Sequence, residues 1–293
     1  MKKNRKIWIG VGAFMIAGSG APSLPAAAQD GPSLSSSSEM QVRAHGQVRT
    51  AQQLLQAMTT GAGGEGGEGG EGGEAGINIE AAAKDPVEYG VALQVIAAHY
   101  YAGLAAYTGK QQEAGAQMFA HGMSEVYAEM EELFKKLGVN DLGKKLEATI
   151  GAANDKKSAR DVRKRVDAVL ASLAAAEKKA PKSDASAKAV RAQVAAELID
   201  RAAAQYPMAE KDKTNLEPYL DGLGFAMAAK EQAGAVLPWL NLQDAKKARA
   251  VQDAIAKLGQ AYPGITRPEK PKVTAADLLA AASAAKLAVS GLK

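Results

Sequence analysis

From about residue 85 onward, apolar side chains recur at spacings of three and four, and nowhere do they alternate over the length of a strand. Val91, Leu93, Val95, Ile96, Tyr100 and Leu104 mark a helix over 86–107. Asp85 can cap it, Pro86 suits its first position, and Glu88 sits three residues after the cap. Met118, Phe119, Val126, Met130, Leu133 and Phe134 mark a second helix over 111–137, with Gly138 as its stop. A short amphipathic segment at 140–150 comes next, then a helix over 158–178 built on Val162, Val166, Val169, Leu170 and Leu173. Val190, Val194, Leu198 and Ile199 place another helix over 187–206. A capping box from Thr214 to Glu217 opens one that reaches residue 237. A helix over 241–262 and an alanine-rich one capped by Thr274 complete the chain. Alanine dominates these segments and favours helix. The pattern predicts an all-α protein of antiparallel helical bundles, arranged as two tandem units over 83–180 and 181–293.

The N-terminal part has a different pattern. Lys2, Lys3, Arg5 and Lys6 precede an apolar run over 7–18, and Ala26, Ala27 and Ala28 offer a cleavage site. Together they read as a secretory signal over 1–28, with a run too short for a comfortable membrane span. The expected location is the periplasm. Residues 29–82 read as a flexible region. It contains a candidate short helix, TAQQLLQAM, and the low-complexity run GAGGEGGEGGEGGEAG, an acidic tether that can gather cations weakly.

Charge and cysteine content narrow the function classes. The chain is formally +4, and the signal holds four basic and no acidic residues, so the processed chain is near neutral. A nucleic-acid partner is not expected, because a folded nucleic-acid binder keeps a basic footprint. The absence of cysteine removes disulfides, thiolate metal sites and a lipoprotein anchor.

The candidate chemistry lies with the histidines. His121, Glu125, Glu129 and Glu132 succeed one another at helical spacing and share one face. His99 precedes Gly109 by ten residues and His121 lies twelve beyond it, so an antiparallel hairpin sets both imidazoles at similar height. His99, His121 and Glu125 suit a divalent ion, with Glu129 as ligand or support. Iron, copper and zinc all fit such donors, and Tyr100, Tyr101 or Tyr127 in the same layer would favour Fe(III). Non-covalent haem is a further candidate, there being no CxxCH motif. The competing reading is an ordinary solvated face, on which Glu129, Glu131 and Glu132 pair with Lys135 and Lys136. His45 reads as an exposed polar residue. A second candidate site groups Tyr206, Glu217, Tyr219 and Asp221 between the 187–206 and 214–237 helices. Its competing reading is that the tyrosines anchor packing. HExxH, a Walker-type phosphate loop and GxSxG are all absent, so an enzyme is not expected.

Two stretches resemble known families. ELIDRAAAQYPMAEKDKTNLEPYLDGLGFAMAAKEQAG is similar to the exported helical segments attached to some bacterial iron permeases, on Tyr206, Asn215, Glu217 and Tyr219, with Pro218 interrupting the Glu-Tyr pair. The segment from Glu88 to Gly138 resembles, more loosely, imelysin-type iron-uptake domains, which use a histidine and then carboxylates on a helix. Here those positions fall on His121, Glu125 and Glu129. The resemblance implies iron-related work beside an envelope membrane protein. The expected function is therefore capture or handling of a metal ion or haem, and the alternative is a structural or protein-interaction module without a ligand.

Overall fold

A computed structural model describes residues 76–293. The signal, His45, the TAQQLLQAM segment and nearly all of the Gly/Glu run lie outside the described residues. The described part is all-α with no strand, as the periodicity predicts. Its elements are α1 (Ile79–Ala82), α2 (Pro86–Thr108), α3 (Gln112–His121), a π-helical segment (Gly122–Tyr127), α4 (Ala128–Lys136), α5 (Leu142–Asn154), α6 (Ala159–Glu177), α7 (Ala187–Lys211), α8 (Glu217–Gln243), α9 (Ala245–Ala261) and α10 (Ala275–Val289). No helix among the described residues is long and apolar enough to cross a membrane.

Side-chain caps fix most starts. Asp85 accepts from Val87 N, Ser158 from Asp161 N, Ser186 from Ala189 N and Thr274 from Asp277 N. The expected capping box at Thr214 does not form. Asp212 accepts from the backbone N–H of Thr214 and Asn215, and Asn215 Oδ1 from Glu217 N, so two short turns replace it. Two helices outrun their expected ends. α7 continues through Pro207 to Lys211 and α8 through Pro238 to Gln243. Each proline forfeits one backbone hydrogen bond, but buried Ala209 and Leu240 hold the next turn against the core. Residues 77–82, read as flexible, are ordered: Ile77 and Ala82 are buried, and Asn78 caps α1.

α2 is the central helix. After Glu88 it carries no charged residue other than His99 through Thr108, and it is buried nearly all round. It packs against α3, α6, α7 and α8. The α2–α3 pair is an antiparallel hairpin, since Gly103 meets Gly115 and His99 meets Gly122 across the Gly109–Gln111 turn. α6 also runs antiparallel to α2: Tyr89 OH donates to Ala176 O and Tyr107 OH to Lys157 O. α7 pairs with α8 and α10. Because α2 touches helices from both sides of the 178–186 connection, the two halves share one continuous hydrophobic core.

Candidate metal centre

His99 sits midway along α2 and is 4 % exposed. Its Nδ1 lies 2.8 Å from Val95 O, an acceptor only, so Nδ1 carries the proton and donates. That bond fixes the tautomer of the neutral ring and leaves the Nε2 lone pair facing inward. Nε2 lies 3.5 Å from Glu125 Oε2 and 3.6 Å from Asp221 Oδ1. His121, at the end of α3, places Nδ1 3.6 Å from Glu125 Oε1 and 3.7 Å from Glu217 Oε1. The two rings are edge to face, with centroids 6.3 Å apart. One donor atom each from His99, His121 and Glu125 all fall within 4.8 Å of one another.

Close helix packing creates this convergence. A Cβ on Gly122 would lie 3.2 Å from His99 Cβ and 3.3 Å from the Tyr100 ring, so glycine lets the π-helical segment approach α2 at His99. Gly224, three residues after Asp221, brings α8 onto α2 at Ala98, where a Cβ would press on the Ala98 carbonyl oxygen. Both approaches meet the same turn of α2. The π-helical segment carries Glu125 itself, and π turns inside α-helices recur at functional sites.

The electrostatics are those of a mixed cluster. Burial pulls His99 down, but the Glu125 hydrogen bond, the Asp221 charge and the Val95 carbonyl outweigh it, and its pKa is raised. The same His99 contact holds Glu125 below the usual carboxylate range, against its own desolvation. Burial drives Asp221 up to about 6, with Glu125 and Glu217 adding repulsion and His99 opposing it. Two atoms in the cluster, His121 Nδ1 and Asp221 Oδ1, are buried without a hydrogen-bond partner. Such atoms are costly unless something pairs them. A cavity of about 400 Å³ opens beside His99, Glu125, Glu217 and Asp221. A larger groove of about 840 Å³ lies toward the N-terminal end of α2, lined by Tyr89, Glu177 and Arg191. It has no histidine, and Glu177 is already paired with Gln94 and Arg191.

The structure regroups the residues picked out from the sequence. His99, His121 and Glu125 come together as the hairpin argument predicts. Glu129 stays outside this group, a turn further along the helix than Glu125 and beyond the π-helical segment. Glu132 pairs with Lys135, so the charged-face reading holds for that end of the ladder. The second candidate site divides. Glu217 and Asp221, one turn apart on α8, join the histidines. Tyr206 OH donates to Val273 O, and Tyr219 OH to Gly264 O and Thr266 O, while both rings pack on Tyr262. These tyrosines anchor the 262–274 connection, as their packing reading had it. Tyr100, Tyr101 and Tyr127 also turn elsewhere: Tyr100 bonds Leu146 O, Tyr101 bonds Glu231, and Tyr127 stacks on Phe134. Compared with family models, curated proteins and solved structures, the chain matches none.

Proposed function

We propose that this protein binds a first-row transition-metal ion through His99, His121 and Glu125, and that it is an exported, non-catalytic handler of that ion in the cell envelope. The observation that carries the reading is His99. A histidine in the middle of the central helix, with one nitrogen committed to the backbone, turns its other nitrogen toward two carboxylates at 3.5 and 3.6 Å. Ligands held about 2.1 Å from an ion lie about 3.0–3.4 Å from one another, so the contacts of His99 need only a few tenths of an ångström of closure, and the three-residue set, within 4.8 Å, a larger one. A cation would also pair the two orphaned atoms and relieve repulsion among Glu125, Glu217 and Asp221.

The donor set narrows the ligand. Imidazole with carboxylate suits iron, zinc and manganese, whereas copper(I) would call for sulfur. Haem fits poorly, because the carboxylate oxygens beside His99 Nε2 occupy the space a porphyrin would need. Iron is favoured by the resemblance to iron-uptake proteins, which also supplies the membrane partner of this proposal. The rival reading, an interaction module without a ligand, needs a contiguous apolar face. Among the described residues the large exposed apolar side chains are Ile79, Met208, Met227, Leu242 and Leu287, spread over α1, α7, α8 and α10.

The test is titration of the purified protein with Fe(II), Fe(III), Cu(II), Zn(II) and haem, in wild type and in the double variant H99A/H121A. The expected result is stoichiometric binding of a metal ion, lost in the double variant. Binding that is absent, or unchanged by the two substitutions, overturns the proposal.

A further inference from the structure

The four long contacts of the cluster fall into two matching sets. One contains His99 Nε2, Glu125 Oε2 and Asp221 Oδ1, with the histidine nitrogen 3.5 and 3.6 Å from the oxygens. The other contains His121 Nδ1, Glu125 Oε1 and Glu217 Oε1, with separations of 3.6 and 3.7 Å. Each set offers one imidazole and one carboxylate of its own. The two sets share a single carboxylate, Glu125, which gives one oxygen to each. Glu217 and Asp221 lie one turn apart on α8, so their carboxylates match the two oxygens of Glu125.

We infer that this cluster is a dinuclear centre, in which Glu125 bridges two divalent first-row metal ions, one held by His99 and Asp221 and the other by His121 and Glu217. The inference rests on the metal-binding proposal and adds Glu217 and Asp221 as terminal ligands. Two observations besides the charge of the cluster support it. The orphaned buried atoms are distributed one to each set, Asp221 Oδ1 in the first and His121 Nδ1 in the second. The hydrogen bond from His99 Nδ1 to Val95 O presents only Nε2 to the first ion, whereas His121 presents Nδ1 to the second. The two imidazoles therefore face different oxygens of Glu125, His99 toward Oε2 and His121 toward Oε1. Paired ions bridged by a carboxylate sit about 3.5–4 Å apart, a span that the two oxygens of one carboxylate can serve. Facing helices of a bundle are a natural frame for such a pair.

The arrangement also assigns the ions a structural consequence. Each links α8 to the α2–α3 hairpin, elements that lie on opposite sides of the 178–186 connection. Occupancy would reinforce the α2–α8 contact through which the two halves already share one core.

The test is metal stoichiometry by elemental analysis after equilibration with Zn(II) and removal of free ion, for wild type, E125Q, D221N and E217Q. Circular dichroism confirms that each variant is folded. The expected result is two zinc ions per wild-type chain, one in D221N, one in E217Q, and loss of both tight sites in E125Q. Mn(II)-loaded wild type should give the paramagnetic resonance spectrum of an exchange-coupled pair, and D221N that of an isolated Mn(II). One ion per wild-type chain, with an uncoupled Mn(II) spectrum, overturns the dinuclear centre while leaving the single-ion proposal standing. No bound ion overturns both. The wild-type count and the exchange-coupled Mn(II) spectrum together decide the matter even if a variant fails to fold.

Discussion

Replacing Gly224 by alanine tests the packing that builds the site. The new Cβ would press on the Ala98 carbonyl oxygen, with the Ala98 carbonyl carbon at 2.9 Å and Ala102 Cβ at 3.2 Å. A backbone carbonyl in the middle of α2 cannot rotate away, so α8 must move. Overpacking of this kind costs about 1–3 kcal/mol, and a contact to backbone belongs at the upper end. The gain in helix propensity returns about 1 kcal/mol, leaving a net loss of about 2 kcal/mol. Gly234, ten residues further along the same helix, is exposed and has nothing within 4 Å of its Cβ position. Alanine there should stabilise by about 0.5–1 kcal/mol. The two variants should therefore differ by about 3 kcal/mol, or about 6–12 °C in melting temperature for a folded part of this size. Thermal and urea unfolding monitored by circular dichroism measure that difference. Metal titration adds a second readout, because displacement of α8 carries Asp221 away from His99 while G234A leaves both in place. If G224A stabilises the protein as much as G234A does, the close approach of α2 and α8 does not constrain the fold, and glycine packing cannot be what assembles the site.

Two further outcomes probe a helix start and the buried tyrosines. Asp244 accepts hydrogen bonds from Lys246 N and Lys247 N at the start of α9, so D244A should cost about 1 kcal/mol in urea unfolding; an unchanged midpoint would show that the cap is idle. Burial pushes Tyr89 and Tyr219 up to about 12 in the folded protein, from an ordinary value of 10. A raised folded-state pKa leaves stability intact below pH 10 and removes it as pH rises from 10 toward 12, because the unfolded chain ionises first. Phenolate absorbance should consequently lag behind that of free tyrosine and then rise together with loss of helix. Reversible titration of these tyrosines near pH 10 with the helices intact would contradict their burial.

The hydrophobic period carried most of the secondary structure, because helix formation is decided over a few residues. The starts at Asp85, Ser158, Ser186 and Thr274 and the stop at Gly138 are local events, visible as capping residues and glycine. The pairing of His99 with His121 was also legible, since a short turn fixes which residues of a hairpin lie side by side. Prolines 207 and 238 misled the reading of helix ends, because their local penalty is outweighed by burial of the turn beyond them. The π turn left no signal in the spacing of apolar residues, yet it is the segment that carries Glu125 to the histidines, with Glu129 lying beyond it and outside the group. Sequence separation hid the remaining members. Glu217 and Asp221 stand about a hundred residues from the histidines and read as a separate site with Tyr206 and Tyr219. Their union with His99 and His121 depends on how α8 crosses α2, and that contact is set by small residues, Gly224 against Ala98 above all. The one-dimensional pattern states that each helix has a face to bury. Which faces meet, and hence which carboxylates reach which imidazoles, is fixed only when all the helices compete for the same core.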